Sequence, residues 1–161
     1  MLHIPDQTDL DILRLLQHNA HLSYREIAII THKSPSIVSD RIKRLKKEGY
    51  IKQIVAVLND KILNRGLFIF SFVRLNTYDQ NLMLIFEKDV VKFNEVIETY
   101  HIAGEYDYLL KVLVNNMDGY NDFIIECLST FSQIKSMSTL FVMKELKRDH
   151  EYPLTGKNLS P

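Results

Sequence analysis

Residues 34–49, SPSIVSDRIKRLKKEG, decide the fold of the first part of this chain. Ser34 is a favoured helix N-cap, and Pro35 suits the first helical position because its missing N–H would have no partner there. Apolar positions repeat at helical spacing and predict an inward-facing stripe. This stripe consists of Ile37, Val38, Ile42 and Leu45. Gly49 is expected to end the helix in a left-handed conformation.

Two further helices are predicted before this one. The first begins after Asp6, which can cap it, and Asp9 lies in the first turn, where the helix dipole favours a negative charge. The second begins after Ser23, which can form a capping box with Glu26. Three short helices, the last two joined by a tight turn at residues 31–33, predict a helix-turn-helix.

The domain organisation follows from changes in composition along the chain. Residues 50–58 are rich in Ile and Val and predict one or two strands, which would make the first unit winged-helix-like. The polar residues 59–66 mark a boundary. We therefore expect a helix-turn-helix domain with a strand linker at residues 1–60, a second domain at residues 66–147 and a loosely held tail at residues 148–161.

The second domain alternates strand and helix patterns in the order βαββαβ. The predicted strands are residues 67–75, 96–103, 108–114 and 137–146, and the predicted helices run from Leu82 to Phe93 and from Met117 to Phe131. This order predicts a ferredoxin-like domain with an antiparallel sheet and both helices on one face. The chain as a whole is then α+β, a winged helix-turn-helix followed by a ferredoxin-like domain.

The first predicted strand is apolar on both faces. Phe68, Phe70 and Phe72 lie on one face, and further apolar side chains lie on the other. Because the two helices can cover only one face, the other is expected to pack on a second copy of the sheet in a homodimer. A short strand with a few exposed apolar side chains is the alternative.

The composition excludes several classes of protein. The chain has 161 residues, of which 46% are apolar, as in a soluble globular protein. A single cysteine excludes an internal disulfide and a cysteine-based metal site, and the six histidines show no metal-ligand spacing. No apolar run approaches the roughly 18 residues that span a bilayer, and no signal peptide is visible, so we expect a cytoplasmic protein without membrane contact or a metal.

The charge is distributed unevenly although the 20 basic and 20 acidic residues balance. Residues 1–65 carry a net charge of +4 and residues 66–161 a net charge of −4. Residues 41–52 hold six basic side chains against Glu48 alone. Such a cluster indicates a polyanionic partner for this end of the chain, and a solvated helix face is the alternative.

Two ordered groups of motifs resemble the Lrp/AsnC (feast/famine, leucine-responsive) family of transcriptional regulators. Residues 6–13, 34–38, 41–45 and 49–51 resemble the DNA-binding half of that family, and residues 96–98 and 103–111 resemble the signature of its effector domain. The resemblance implies a sequence-specific regulator whose assembly or DNA binding responds to a small effector, expected to be an amino acid. It also implies that a dimer assembles into a tetramer or octamer.

The third predicted helix is the element expected to enter the major groove of double-stranded DNA. The residues expected near base edges are Ser36, Ser39 and Asp40, with Ser34 at the helix start. Asp40 can accept a hydrogen bond from a cytosine amino group. The residues expected to meet phosphates are Arg41, Lys43, Arg44, Lys46 and Lys47. An alternative for Arg41 is a pairing with Asp6 or Asp9 that holds the domain together.

Residues 104–107, GEYD, are predicted to form the turn between two strands. A hairpin with positive φ at Gly104, in which Asp107 caps backbone amides, is one interpretation. The resemblance implies that an amino acid binds here between dimers, with its carboxylate on backbone amides and its ammonium on Asp107. The implied effector-binding residues are Gly104, Glu105, Tyr106, Asp107, Ser138 and Thr139. Ordinary strand hydrogen bonding is the alternative for the last two.

Two other functions stay open at this point. Relatives of this architecture include sirohaem decarboxylases, which need cationic and histidine side chains around a tetrapyrrole, and the sheet offers only Arg74, His101 and Lys111. The second open function is an effector sensor that binds DNA weakly, because His32 and Asp40 depart from the family pattern. The turn usually contains Gly, and a basic or small polar residue would suit DNA better than Asp40. We expect a regulator without enzymatic activity or a cofactor.

Overall fold

The computed structural model describes residues 4–59, 62–63, 66–151 and 153–154. The chain divides into two compact units, one of Met1–Val57 with Lys147–Pro161 and one of Leu58–Leu146. Parts of the predicted boundary (60–61 and 64–65) and of the predicted tail (152 and 155–161) lie outside the described residues. No helix in the described ranges is long and apolar enough to cross a membrane.

The first unit is built from three helices, α1 (Gln7–His18), α2 (Tyr24–Thr31) and α3 (Pro35–Lys47). Their predicted N-caps are confirmed, with capping boxes at Asp6 and Ser23 and a capping hydroxyl at Ser34. Their apolar faces meet in one core. The buried side chains of this core are Ile12, Leu13, Ile27, Ala28, Val38, Ile42 and Leu45. Ile37, which was predicted to face inward, is instead exposed.

The chain leaves α3 through a left-handed residue, as predicted. Gly49 has φ +83°, and the Ile51 amide donates to the Leu45 carbonyl at 3.3 Å. The strands predicted at residues 50–58 are wrong, because the structure assigns no strand there. Ile and Val favour a strand only where a neighbouring strand completes the hydrogen bonds, and none pairs with this segment in the described part of the chain.

The described part of the predicted tail contacts α1. Arg14 donates through Nε and Nη2 to the Leu154 carbonyl, at 3.1 and 2.5 Å, and Leu154 packs against the core of the first unit. His18 Nδ1 lies 3.0 Å from Glu151 Oε1. The sequence predicted a loosely held tail because this segment is polar and contains two prolines, and no local pattern signals contacts with residues some 140 positions away.

The second unit confirms the predicted βαββαβ order. Its elements are β1 (Leu67–Leu75), α4 (Gln80–Val90), β2 (Val96–His101), β3 (Tyr108–Val114), α5 (Met117–Asp122) and β4 (Ile134–Phe141). The strands form one sheet in the order β2-β3-β1-β4, with all neighbours antiparallel. This is the ferredoxin-like arrangement.

The two faces of this sheet have different surroundings. On one face Ile69, Val73 and Leu75 are buried together with side chains of both helices, such as Phe86 and Tyr120. We call this the covered face. The side chains that alternate with them point to the other, open face, and they include Phe68, Phe70, Phe72, Leu109 and Lys111. These open-face side chains are only partly buried.

The helix predicted from Met117 to Phe131 is shorter than expected. After α5 the chain makes a π-turn (Phe123–Cys127) and a 3-10 turn (Leu128–Thr130). The prediction used a regular three-and-four-residue spacing that includes Met117, Ile124 and Cys127. Tyr120 and Phe131, which belong to the same predicted spacing, are buried, but the other buried residues are Phe123 and Leu128. The five-residue step from Phe123 to Leu128 matches the wider π-turn.

The last strand is shifted toward the N-terminus relative to the prediction of residues 137–146. It begins at Ile134, which pairs with Leu75, and its last ladder bond runs from the Val142 amide to the Phe68 carbonyl. In this register Met143 lies opposite Leu67, the first residue of β1, so residues beyond Met143 have no residue of β1 to pair with. The partner strand therefore sets the end of β4.

Candidate functional site

The outward face of α3 is polar and carries exposed cations. Lys43, Lys46 and Lys47 are exposed. Ser36 and Asp40 are exposed on the same side, opposite the buried stripe, and Lys43 Nζ lies 3.7 Å from Asp40 Oδ1. Ser39 is half-buried at the edge of this face. Helical geometry thus brings most of the predicted DNA-contacting residues onto one surface.

Ser34 has a structural function at the start of α3. Its Oγ accepts from the Ile37 amide at 3.3 Å and lies 3.0 Å from Ser36 Oγ. The hydroxyl therefore fixes the first turn of the helix, where the side chains nearest a major groove would lie.

The two arginines of α3 bind carboxylates of the first unit. Arg41 Nη1 donates to Asp6 Oδ2 at 2.6 Å and to Asp9 Oδ1 at 2.9 Å. Arg44 Nη2 donates to both Asp9 oxygens, at 3.0 and 2.8 Å. This is the alternative that the sequence left open for Arg41, and it extends to Arg44. Asp9 is fully buried, so these bonds tie α3 to α1.

The electrostatics of Asp6 reflect the same contacts. Burial by itself raises the pKa of Asp6, but hydrogen bonds from Arg41 and from the Asp9 amide outweigh it and hold the pKa below its usual value. A carboxyl with a lowered pKa in the folded state stabilises the fold above its ordinary pKa, and this contribution is lost as the pH falls through the lowered value.

In the second unit, residues 104–107 connect β2 and β3 as a hairpin, as predicted. Gly104 has φ +150°, a conformation that side-chain-bearing residues rarely adopt. Asp107 is half-buried, and its Oδ2 accepts from the Leu75 amide at 2.7 Å, which is the capping role that the sequence suggested. Glu105 is exposed, and the Tyr106 ring lies 5.6 Å from the ring of Phe72 on the open face.

The structure separates the two hydroxyl residues predicted on β4. Ser138 pairs with Phe72 on the open face, and Phe72 contacts Tyr106 of the hairpin loop. Thr139 points to the covered face, where its Oγ1 lies 2.6 Å from Tyr120 Oη. Neighbouring residues of a strand face opposite sides, so only Ser138 shares a face with the loop.

Other titratable side chains near the hairpin contact each other. The His101 ring stacks on Tyr108 at 4.9 Å, and Tyr108 Oη donates to Glu87 Oε1 at 2.8 Å. Burial and the Glu87 carboxylate raise the pKa of Tyr108. Within the described residues, no group of three or more His, Cys, Asp or Glu side chains is placed to hold a metal ion.

Two models of known protein families match successive parts of the chain. Residues 5–52 match the winged helix-turn-helix DNA-binding model, and residues 69–152 match the Lrp/AsnC ligand binding domain model. The chain belongs to the Lrp/AsnC family. It is therefore a transcriptional regulator with an N-terminal DNA-binding helix-turn-helix and a C-terminal ligand-binding domain.

Individual Lrp/AsnC relatives match along nearly the whole chain. The transcriptional regulator AzlB of Bacillus subtilis is 32% identical over 92% of this chain and 95% of its own length. The leucine-responsive regulatory protein of Escherichia coli K12 is 30% identical over 90% of this chain and 88% of its own. A crystal structure of a Neisseria meningitidis transcriptional regulator in complex with L-Met has a TM-score of 0.87 at 30% identity, covering 92% and 96% of the two chains.

The turn before α3 of this Lrp/AsnC regulator contains a left-handed residue that is not glycine. His32 occupies the left-handed region at φ 53°, a conformation that glycine adopts more readily. The His32 amide donates to Ile29 and the Lys33 amide to Ala28, at 3.3 and 2.9 Å, which is the Schellman pattern of a helix end. The turn therefore keeps its geometry without a glycine.

Three features of this regulator were missed by the sequence analysis. Arg44 was predicted to contact phosphates, but its guanidinium donates to Asp9, a residue 35 positions away in the chain. The exposure of Ile37 was missed because its spacing from Ile42 and Leu45 fits the apolar stripe. The buried hydroxyls of Ser71 and Tyr120, 3.2 Å apart, had no sequence signal.

We expect Asp9→Asn to destabilise the first unit. The amide cannot balance the charges of Arg41 and Arg44. The free energy of unfolding of the three helices α1, α2 and α3 should therefore fall by roughly 2–4 kcal/mol. Hydrogen exchange of the amides of these helices measures that quantity. Asp11→Asn is the matched control, because its carboxylate is solvent-accessible and pairs with Arg14. Equal exchange rates in the two variants would contradict the conclusion that the Asp9 carboxylate holds α3 against α1.

Proposed function

We propose that this regulator binds double-stranded DNA with the outward face of α3 in the major groove, and that a free amino acid bound beside residues 104–107 modulates this binding. The observation that carries the first part is the row of exposed Lys43, Lys46 and Lys47 on the helix that follows the turn. A cationic helix of this kind suits the groove and its flanking phosphates. DNA binding also supports our proposal that the protein works in the cytoplasm.

The phosphate contacts are assigned to the lysines rather than to the arginines. Arg41 and Arg44 are engaged by buried Asp9, and moving either onto a phosphate would leave that carboxylate short of partners. The lysines have long, exposed side chains that can reach the backbone of DNA without such a cost. Ser36, Ser39 and Asp40 remain the candidates near base edges.

Replacing Lys43 and Lys47 together by Ala should weaken binding to all DNA sequences. The loss of two phosphate contacts per subunit should reduce the slope of log K against log salt concentration by roughly 1.8 for each bound subunit. Fluorescence anisotropy on a labelled duplex over a salt series measures both effects. The double variant Lys135→Ala with Lys144→Ala removes the same charge from exposed sites of the second unit and should leave the slope unchanged. A slope that stays the same in the α3 variant would exclude α3 as the DNA element.

The effector is proposed to be an amino acid because the loop combines exposed backbone with a carboxylate. Gly104 leaves space beside its amide, since nothing lies within 4 Å of the place a Cβ would occupy. Asp107 uses one oxygen for the Leu75 amide, and its charge can attract an ammonium group at the other. The L-Met complex of the Neisseria relative supports this class of ligand for the present chain. Glu105, Tyr106 and Ser138 complete the proposed site, whereas Thr139 is no longer included.

Asp107→Asn should weaken amino-acid binding by about tenfold to a hundredfold. The amide keeps an acceptor for Leu75 but loses the charge-assisted hydrogen bond to the ammonium, of order 1.5–3 kcal/mol. Isothermal titration calorimetry with the twenty amino acids measures the affinities, and Asp118→Asn on α5 is the control of equal charge. If the wild type binds none of them, the effector proposal is wrong. If Asp107→Asn binds as tightly as the wild type, the role of Asp107 is wrong.

We further propose that the open face of the sheet packs against the same face of a second copy. The partly exposed rings of Phe68, Phe70 and Phe72 form a row along the central strand β1. Apolar surface of this kind is favourable to bury and is self-complementary across a two-fold axis. The family resemblance supports further assembly of such dimers into a tetramer or octamer.

Phe70→Glu should convert the assembled protein to smaller species. A carboxylate in the centre of the row would be buried without a partner, which opposes association strongly. Analytical ultracentrifugation gives the masses, against 18.9 kDa for one chain. Ile85→Glu introduces the same charge at an exposed position of α4 and should assemble normally. A wild-type protein that sediments as a monomer would contradict the proposal.

We propose binding rather than catalysis for the second unit. A sirohaem decarboxylase needs free cations for the tetrapyrrole carboxylates. Here Lys111 Nζ is held by Glu98 Oε1 at 2.8 Å, and His101 is stacked on Tyr108. A purified protein without a Soret absorption band after incubation with sirohaem is the expected result.

A further inference from the structure

The first turn of α3 presents an apolar side chain on the surface that faces DNA in the proposed function. Ile37 is 45% exposed, next to exposed Ser36 and three residues before exposed Asp40. Residues three apart on a helix are neighbours on its surface, so Ile37 and Asp40 lie side by side. The Ser34 hydroxyl holds the amide of Ile37 and so fixes this turn.

The other side chains of α3 offer little for reading guanine. Arginine is the commonest guanine reader in the major groove, through two hydrogen bonds to O6 and N7. Both arginines of α3 instead donate to Asp9, and Arg41 also donates to Asp6. Lys43 lies beside Asp40, whose charge competes for it. The side chains that remain available to contact bases in the first two turns are one branched apolar side chain, hydroxyls and a carboxylate.

An exposed isoleucine has one natural counterpart in the major groove. Thymine is the only base that presents an apolar group there, its 5-methyl, and apolar side chains discriminate thymine through it. We propose that Ile37 contacts the 5-methyl of a thymine and is a specificity-determining residue of this regulator. The inference rests on the proposed insertion of α3 into the groove.

The positive charges around Ile37 favour DNA as the molecule that contacts this side chain. Residues 41–52 carry a net charge of +5, and the lysines of α3 extend along the same face as Ser36 and Asp40. A second copy of this cationic surface would be repelled, whereas a polyanion is attracted. An apolar side chain within a cationic face therefore fits a groove with a methyl group on its floor.

The test uses the full chain and DNA that differs by single methyl groups. Binding sites are selected from a random duplex library with the wild-type protein. Each thymine of the selected site is then replaced by deoxyuridine, which keeps the base pair and removes only the 5-methyl. Affinities are measured for the wild type, Ile37→Ala and Ile29→Ala. Ile29 is the matched control, an isoleucine 74% exposed on α2 of the same unit.

We expect one thymine per half-site at which deoxyuridine weakens wild-type binding by about fourfold, the effect of losing one buried methyl contact. That loss should disappear in Ile37→Ala and persist in Ile29→Ala. The inference is overturned if no thymine shows the loss, if Ile37→Ala retains it, or if Ile37→Ala changes the sedimentation of the protein instead. A wild type that binds no duplex at low salt would overturn the proposed function itself, whereas uniform binding with a steep salt dependence would overturn only the role of Ile37.

Discussion

Asp9 is a buried carboxylate that accepts hydrogen bonds from two arginines of the helix proposed to bind DNA. A buried charge must be paired, so the orientation of α3 against α1 is fixed by the need to satisfy this one group. The same bonds engage the guanidinium groups of Arg41 and Arg44, although both side chains stay partly exposed. The lysines, Ile37 and Asp40 are thereby left to meet a ligand, and the stability of the first unit and its recognition chemistry depend on one interaction.

The second unit follows a different constraint, the alternation of side chains along β1. One set of side chains packs under two helices, and the other set exposes three phenylalanine rings. Because a sheet has two faces and the helices cover one, the open face is the natural place for a second copy. The hairpin loop at residues 104–107 lies beside that face through the contact of Tyr106 with Phe72. Ligand binding and assembly are therefore proposed on adjoining surfaces.

One residue of the hairpin loop, Asp107, combines an observed structural role with a proposed role in ligand binding. Asp107 caps the Leu75 amide and so joins the loop to the end of β1. A ligand that attracts the Asp107 charge would act on a group already bonded to the central strand. The buried hydroxyls of Ser71 and Tyr120, with Thr139, connect that strand to α5 and β4 on the covered face. The bond between Asp107 and Leu75 joins the proposed effector site to β1, whereas the hydroxyl contacts hold the opposite face of the sheet.

Local signals in the sequence determined the helix caps, the hairpin at Gly104, the order of elements and the two motif groups of the family, because each depends on residues close together in the chain. Tertiary structure decided the rest. The partners of Arg41 and Arg44 lie more than 30 residues away, and the end of β4 depends on where β1 begins. In the described part of the chain no strand pairs with residues 50–58. Ile37 fitted the apolar spacing but is exposed. Secondary-structure propensity and the spacing of apolar residues indicate which helix or strand a segment can form. Which of its side chains are buried, exposed or paired depends on the residues that lie next to the segment in the folded protein.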